Sequence, residues 1–492
     1  MRKLLLASVA VLGGTLGAAN AQSFTQAPAV VPTPVPFTLT PSPTAGPGTI
    51  SVRINARLNF YMQAGSDSGR NTQVTPVAPT VNAAGQTTSL GSPQSNTKLQ
   101  DYQFAEYARL YFNLDGIAGN GLKYGAFLEV RQDNGIAPGG GGGTFGSISG
   151  QTRSRGAMYF RNEGAYLGTD QLGYLRFGST YQPSVLFATG TFENFNDGAW
   201  DGDLPGFFTG NTSPTWPFPD ISPFYVPGAI VYVSPQFAGL DFSASFAPTS
   251  GGVDNTSGNC PYGVSAAGGA GVGGNLLGGN APLGCDAASS SANGAENGRP
   301  RNEAQIYARY RGAFGPVGIA VQGGGIFSGK VGNNATPQGA LQYDGYSLGD
   351  GGVILTFGGL AVGGHVTAGR QNGQFGLDPK GAKDSFAWVA GASYAIGPVI
   401  IGASYFDYMS AGNNTSARAS TLVGNRNEWG AAAGGTYTFA PGMNVYLSYL
   451  YGHRKELGVD LLSGATASAT GNVITHNNVQ SQGVSIGTQF RW

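Results

Sequence analysis

Apolar and polar residues alternate without a break from Ile50 to Met62. One row of side chains is entirely apolar, and the interleaved row contains serine, arginine, asparagine and tyrosine. Successive side chains of a β-strand point to opposite faces, so this run predicts a strand with one apolar and one hydrated face. Strands of soluble proteins usually have about five or six residues, whereas a tilted strand needs about 9–11 to cross a membrane. The length of the run therefore favours a membrane-spanning strand.

Similar alternation recurs throughout the chain. It is clearest over residues 107–114, 122–131, 240–246, 429–439, 443–451 and 484–492. In lipid, an open sheet would leave the backbone N–H and C=O groups of its edges unpaired, so membrane strands close into a barrel. The sequence predicts an all-β fold, an antiparallel transmembrane β-barrel of about sixteen strands.

Short and long connections alternate between the predicted strands. Short turns are predicted at Gly315-Pro316, Gly397-Pro398 and Pro441-Gly442. Long polar connections are predicted over residues 65–98, 251–299, 333–351, 413–425 and 457–476. Outer-membrane barrels have short periplasmic turns and long extracellular loops, and the same arrangement is predicted here.

The composition excludes several other classes of protein. The chain has 83 glycines and 11% charged residues, against about 25% in ordinary soluble domains. Glycine destabilises helix interiors by about 1 kcal/mol per position, which disfavours a helical fold. After the first residues, no stretch reaches the about 18 consecutive apolar residues of a membrane-spanning helix. The net charge is zero, so no overall field favours nucleic acid as a partner.

The N-terminal residues predict export. Arg2 and Lys3 precede an apolar run from Leu4 to Leu12, and Ala19-Asn20-Ala21 forms a cleavage site, as in a secretory signal peptide over residues 1–21. Residues 22–48 contain seven prolines and are predicted to form an extended periplasmic segment, either passive or partner-binding. Residues 49–492 are predicted to form the barrel, and the barrel is predicted to lie in the bacterial outer membrane.

Few residues in the chain indicate covalent or catalytic chemistry. Cys260 and Cys285 lie in a stretch rich in small residues, and in an oxidising compartment we expect them to form a disulfide within a surface loop. The three histidines, His365, His453 and His476, are scattered along the chain. No catalytic, cofactor-binding or metal site is predicted.

Several short motifs occur in a recognisable order. They are Ala108–Phe112 with Gly119–Lys123, Ala165–Gly168, Leu172–Gly178, Val231–Leu240 and Gly487–Trp492. With these motifs the chain resembles the Gram-negative general porin family from Ile50 onward. The resemblance implies a sixteen-stranded barrel, usually trimeric, that lets ions and small hydrophilic solutes diffuse through a water-filled pore.

The resemblance also implies that the third long loop folds into the lumen and narrows it. This loop is predicted over residues 181–225, and it contains no lysine or arginine. Its expected constriction acids are Glu193, Asp197, Asp201 and Asp203. The opposing basic wall is expected to comprise Arg53, Arg57, Arg109, Arg131 and Arg176. Together these two sets would create a transverse field across the pore.

Further partners follow from the same resemblance. Phe490 and Trp492 are predicted to form the C-terminal signal that the barrel assembly machinery recognises, and lipid of the outer membrane would surround the barrel. The loop differs from the family pattern in its prolines and its many aromatic rings, and Trp492 replaces the usual phenylalanine. Alternative functions are a substrate-selective channel, for instance for carbohydrates, and, with less support, an outer-membrane enzyme or an adhesin barrel.

Overall fold

The structure, a computed structural model, describes most of the chain after residue 45. The described residues are 46–74, 80–81, 87–89, 95–98, 100–134, 159–192, 200, 202, 204–208, 212–219, 228–249, 300–330, 343–372, 378–379, 381–412, 426–458, 460–462 and 476–492. The predicted signal peptide and most of the Pro-rich segment lie outside these residues.

Within the described residues, sixteen antiparallel strands form one closed barrel. They are β1 (Ile50–Asp67), β2 (Tyr102–Ile117), β3 (Lys123–Asn134), β4 (Tyr159–Thr169), β5 (Gly173–Ser179), β6 (Gly228–Val233), β7 (Leu240–Thr249), β8 (Pro300–Phe314), β9 (Val317–Lys330), β10 (Ser347–Phe357), β11 (Leu360–Arg370), β12 (Ser385–Ile396), β13 (Val399–Ser410), β14 (Arg426–Ala440), β15 (Met443–Glu456) and β16 (Asn478–Arg491). The predicted fold class and strand number are confirmed.

The barrel closes where β1 pairs with β16. Eleven residues of β1 lie opposite partners in β16, from Arg57 against Arg491 to Asp67 against Ser481. Two further backbone hydrogen bonds extend this pairing, because Ala56 N–H donates to the Trp492 carbonyl at 2.9 Å and Trp492 N–H donates to the Ala56 carbonyl at 3.2 Å. All other neighbouring strands of the barrel are consecutive in the sequence.

The two predicted faces of the strands are present. On β1 the apolar row from Ile50 to Met62 points outward, with Ile50 61% and Val52 62% exposed. The interleaved row points inward, where Asn59 and Gln63 are buried. The same alternation holds on β2, β3, β7 and β14 to β16. Tyr111 also belongs to the inward row of β2 and is buried.

The connections alternate in length as predicted. Short turns join β8 to β9, β12 to β13 and β14 to β15, and each contains a glycine with positive φ: Gly315, Gly397 and Gly442. The opposite end of the barrel carries the long loops, in which residues 71–74 pair with 95–98, residues 80–81 with 87–89, and residues 343–344 with 378–379. Among the described residues, no helix is long and apolar enough to cross a membrane.

Candidate functional site

The third long loop, loop 3, comprises residues 180–227 between β5 and β6. Its described aromatic side chains are buried against the inner surface of the barrel: Tyr181, Phe187, Phe192, Trp200, Phe207, Phe208, Trp216 and Phe218. Loop 3 therefore folds into the lumen, as the resemblance implied. The burial of these described rings shows that they pack the loop against the wall.

We call residues 180–192 of loop 3 its outgoing limb. This limb contains helix α1 (Pro183–Leu186), which lies against β8. The backbone N–H of Ser184 donates to Gln305 Oε1 at 3.0 Å, and the side chain of Gln182 donates to Glu303 at 2.7 Å. Arg309 donates to the Leu186 carbonyl at 3.2 Å. Inward polar residues of β8 thus hold the backbone of the first turn of the loop.

We call residues 200–219 of loop 3 its returning limb. Described residues of this limb contact β13, β14 and β15. Trp200 donates from Nε1 to the Ala431 carbonyl at 3.1 Å. The N–H and hydroxyl groups of Thr215 lie 3.2 and 3.1 Å from Glu428 Oε1, and Glu428 forms a buried ion pair with Arg454. The rings of Trp200, Trp216 and Phe218 surround Phe406 of β13 at centroid distances of 5.8, 5.2 and 6.3 Å, edge to face.

A 3₁₀ turn of loop 3, Leu204–Phe207, reaches the seam between β16 and β1. Arg70, three residues beyond the end of β1, donates to the Phe207 carbonyl at 2.9 Å, and its guanidinium lies 4.1 Å from the centroid of the Phe207 ring. Asp67 pairs with Arg70 at 3.3 Å. Loop 3 therefore has contacts along the wall from β8 to β16 and on to the end of β1.

Inward glycines make room for these contacts. A Cβ atom at any of six positions would come within 1.8–3.1 Å of loop 3: Gly352, Gly363, Gly391, Gly430, Gly452 and Gly483. They lie on β10, β11, β12, β14, β15 and β16, and we call them the glycine seat. At the closest of them, a Cβ on Gly352 would meet the Thr189 carbonyl oxygen at 1.8 Å. The sequence did not reveal this seat, because its members are separated along the chain.

The five predicted wall arginines all lie on inward rows of β1, β2, β3 and β5. Arg57 lies opposite Arg109, and Arg109 lies opposite Arg131, so the three form a row across adjacent strands. Arg491 of β16 extends the row, because it is opposite Arg57 on the other side. We call these four residues the arginine row.

Aromatic rings and acids hold the wall arginines in place. The guanidinium groups of Arg57 and Arg109 lie 5.1 and 4.2 Å from the centroid of the Tyr107 ring. Arg131 pairs with Glu129, and Arg53 pairs with Asp115 at 2.6 Å. Arg176 stacks 4.8 Å from the ring centroid of Phe127 and donates to Thr180 Oγ1 at 3.2 Å.

Two arginines close to the predicted wall, Arg161 and Arg491, were missing from the prediction. Arg491 was visible in the sequence as the polar neighbour of Phe490 and Trp492 in the last strand. Arg161 lies at a bulge in the pairing of β3 with β4, where the period-two pattern shifts. Such a bulge changes which face a residue occupies, so alternation alone could not assign Arg161.

Other predicted residues fall outside the described part of the chain. These are the constriction acids Glu193, Asp197, Asp201 and Asp203, and the cysteines Cys260 and Cys285. Phe490 and Trp492 are described. Phe490 lies on the outward row of β16, and Trp492, one residue beyond the end of β16, is 68% exposed.

A family model for Gram-negative porins matches residues 7–457. The chain belongs to the Gram-negative porin family. This porin is an outer-membrane channel for diffusion, and its closed barrel with a loop in the lumen agrees with that function. The family assignment also indicates a channel rather than an enzyme.

Solved structures of similar fold include several outer-membrane proteins. In vitro folded OmpT of Vibrio cholerae, in its trimer form, is 14% identical, with 90% of this chain and 100% of that chain covered and a TM-score of 0.46. The anion-selective porin of Comamonas acidovorans is 13% identical, with 90% and 100% covered and a TM-score of 0.48. OmpF of Salmonella typhi in complex with daunomycin is 12% identical, with 90% and 97% covered and a TM-score of 0.49. No curated protein matches the chain.

Proposed function

We propose that ions and small hydrophilic solutes are selected in this porin between the arginine row and the acidic segment of loop 3. The observation that carries the proposal is the arginine row, in which four adjacent strands each contribute one inward arginine at the same level. Loop 3 has most of its described wall contacts on β8 to β16, and of these strands only β16 also contributes to the arginine row. This arrangement supports a passage whose two sides carry opposite charge.

Opposite charges across a narrow passage produce a field perpendicular to the pore axis. Such a field orients water and dipolar solutes, while charged groups that line the pore set the preference between cations and anions. Guanidinium groups remain charged at every physiological pH, so the basic side of the passage is permanent. Apolar solutes would be disfavoured because they must displace this oriented water.

Single-channel recording in planar bilayers tests the proposal. The wild-type porin should give stable stepwise conductance, and a KCl gradient should give a defined reversal potential. The double variant Arg57→Gln/Arg109→Gln removes two positive charges and should shift permeability toward cations. The double variant Asp201→Asn/Asp203→Asn removes two negative charges and should shift permeability toward anions. Lys455→Gln is the matched control, because Lys455 is exposed on the outward row of β15.

Two results would count against this selection mechanism. If both double variants keep the wild-type reversal potential, the arginine row and the acidic segment of loop 3 do not form the selective constriction. Silent bilayers across voltages and salt concentrations would contradict pore formation itself. Saturable block of the current by a particular sugar would instead favour a substrate-selective channel.

We also propose that the porin is a homotrimer with β4 and β5 in the interface. Strand β5 has seven residues, fewer than the about 9–11 that a strand needs to cross the apolar layer. Glu163 lies on the outward row of β4, opposite Leu128 of β3 and Ser179 of β5. A carboxylate facing lipid is unfavourable, so a protein surface is the better neighbour for this face.

Gel electrophoresis tests the trimer. Unboiled wild-type porin should migrate as a heat-sensitive oligomer, and Glu163→Arg should increase the monomer fraction while Lys455→Gln leaves it unchanged. Wild-type porin that is entirely monomeric in mild detergent and in cross-linked membranes would contradict the trimer.

Three remaining predictions concern the processing and assembly of the chain. We propose that residues 1–21 are removed on export, that Cys260 and Cys285 form a disulfide, and that the barrel assembly machinery binds Phe490 and Trp492. The exposure of Trp492 supports that last contact. Mass spectrometry of the purified porin should find the chain starting at Gln22, with both cysteines alkylated only after reduction. Trp492→Ala should lower the yield of assembled barrel, and an unchanged yield would contradict the last contact.

A further inference from the structure

His365 of β11 lies where both limbs of loop 3 meet the barrel wall. Its Nδ1 atom is 2.8 Å from the carbonyl oxygen of Thr189 on the outgoing limb. Its ring is edge to face with Phe218 on the returning limb, at a centroid distance of 5.8 Å. The His365 side chain is fully buried, at 0% exposure. The stretch between these two contacts includes the four predicted constriction acids.

We propose that His365 is a positioning residue that fixes loop 3 in the lumen and so determines where the acidic segment of the loop lies. The proposal rests on the proposed function of that segment. The role is carried by one directed hydrogen bond, from His365 to the backbone of Thr189.

The direction of that bond follows from the chemistry of its two atoms. A carbonyl oxygen only accepts, so Nδ1 of His365 must carry the hydrogen. The other ring nitrogen, Nε2, lies 3.2 Å from Asp350 Oδ2, and the second carboxyl oxygen of Asp350 accepts from Gln322 at 3.2 Å. A hydrogen between Nε2 and Asp350 Oδ2 completes this second bond, and a bond at one imidazole nitrogen fixes the ring orientation at the other. Asp350 therefore aims Nδ1 at loop 3.

The backbone of loop 3 comes close to the wall at this point. A Cβ at Gly190, which has φ of 81°, would lie 2.1 Å from the Gly364 carbonyl oxygen. A Cβ at Gly352 would lie 1.8 Å from the Thr189 carbonyl oxygen. Because no side chain separates the loop from the wall here, a small change in loop position would break the His365 hydrogen bond. This bond is therefore sensitive to the placement of the whole limb.

Two substitutions separate the roles of the two ring nitrogens. The amide nitrogen of Asn in His365→Asn can occupy the place of Nδ1 and still donate to Thr189. The longer side chain in His365→Gln carries its amide near the place of Nε2, which favours Asp350 and leaves Thr189 without this donor. Gln is also closer to His in volume. A role in packing alone therefore predicts that Gln is tolerated at least as well as Asn.

The matched control is Thr367→Val. Thr367 is buried on the same inward face of β11, two residues from His365, and its cross-strand partners are Asp350 and Ala387. Valine has nearly the shape of threonine, so this variant perturbs the same strand without removing the bond to loop 3.

Hydrogen–deuterium exchange of the porin in lipid nanodiscs measures the position of the loop independently of conduction. A net hydrogen bond contributes about 0.5–1.5 kcal/mol, so its loss should accelerate exchange of the amides at 187–192 about two- to tenfold. We expect this acceleration in His365→Gln, with rates near wild type in His365→Asn and Thr367→Val. Recordings of the same proteins should show an altered reversal potential in His365→Gln alone.

Two outcomes would overturn the positioning role. One is equal exchange in His365→Gln and wild type, and the other is an acceleration in Thr367→Val as large as in His365→Gln. The exchange measurement remains valid if the wild-type protein proves silent in bilayers, so failure of the proposed function and failure of the positioning role are distinguishable.

Discussion

Gly452 of the glycine seat allows a sharp test of how loop 3 is held. A Cβ at this position would lie 2.5 Å from Cδ of Pro214 and 2.5 Å from the Trp200 ring, both of which belong to loop 3. Ordinary van der Waals contact begins near 3.4 Å, so Gly452→Ala requires these two side chains to retreat by about 1 Å. Gly452→Val adds two further methyl groups in the same direction.

The energy of this change has two parts of opposite sign. Inserting a methyl group into a filled contact costs about 1–3 kcal/mol. Replacing glycine in a strand also removes freedom from the unfolded chain, which stabilises the fold by about 0.5–1 kcal/mol. We therefore expect a net loss of about 1–2 kcal/mol for Gly452→Ala and a larger loss for Gly452→Val.

Gly323→Ala provides a control in which only the second part applies. A Cβ at Gly323, on the outward row of β9, would have its nearest heavy atom at 3.9 Å. This variant should be as stable as the wild type or slightly more stable. The free energy of unfolding should thus fall in Gly452→Ala and stay level or rise slightly in Gly323→Ala.

Urea unfolding in lipid vesicles and single-channel recording measure the two consequences. Because loop 3 would move away from β15 and into the lumen, conductance should fall from wild type to Gly452→Ala and further in Gly452→Val. If both Gly452 variants match Gly323→Ala in stability and conductance, the glycine seat does not position the loop.

Three further predictions concern other buried contacts. Arg70→Met removes a charged donor from the Phe207 carbonyl and should weaken the contact between loop 3 and the end of β1 by about 1.5–3 kcal/mol. The amides at 204–208 should then exchange faster, and unchanged exchange would show that Arg70 does not hold this turn. Arg454→Met removes the ion-pair partner of the buried Glu428 carboxylate, which still faces Thr215 and Arg426. The barrel should be destabilised by about 3 kcal/mol, and adding Glu428→Gln should recover most of the loss in urea unfolding. No recovery would show that the ion pair is not the cause. Residues 343–344 pair with residues 378–379 in the extracellular loops. Burial, together with the negative charges of Asp384 and Asp344, raises the pKa of Asp378 to about 8. The unfolded group titrates near 4, so stability of this pair should fall as pH rises from about 4 to 8 and then level off, as measured by amide exchange; Asp378→Asn should abolish the dependence.

The sequence contained enough information for the barrel and for much of its inner wall. Alternation depends on local backbone geometry alone, so the run from Ile50 to Met62 predicted both faces of β1 correctly. The same logic placed Arg57, Arg109 and Arg131 on inward rows, although their alignment in one row depends on strand register. Register is a property of pairing between distant residues and was not predicted.

Strand ends and loop contacts were less accessible from the sequence. Residues 333–351 were predicted as a long connection, but β10 already begins at Ser347. The glycines at 349, 351 and 352 resemble a loop in composition, whereas in the barrel they belong to a strand. His365 was set aside as one of three scattered histidines. Asp350 approaches it only when β10 pairs with β11, and Thr189 approaches it only when loop 3 has folded inward.

The pairing of β1 with β16 has a consequence for the order of barrel assembly. Every other pairing in the barrel joins strands that are consecutive in the sequence. The pairing of β1 with β16 instead joins residues such as Phe60 and Thr488, which are 428 positions apart. Entropy penalises this closure by only about 3 kcal/mol more than closure of a twenty-residue loop, because the penalty grows with the logarithm of length. The obstacle is electrostatic as well, since closure brings Arg57 opposite Arg491. Like charges in directly opposed positions disfavour strand pairing. Acidic groups or anions that reach this place during assembly would therefore favour the final step.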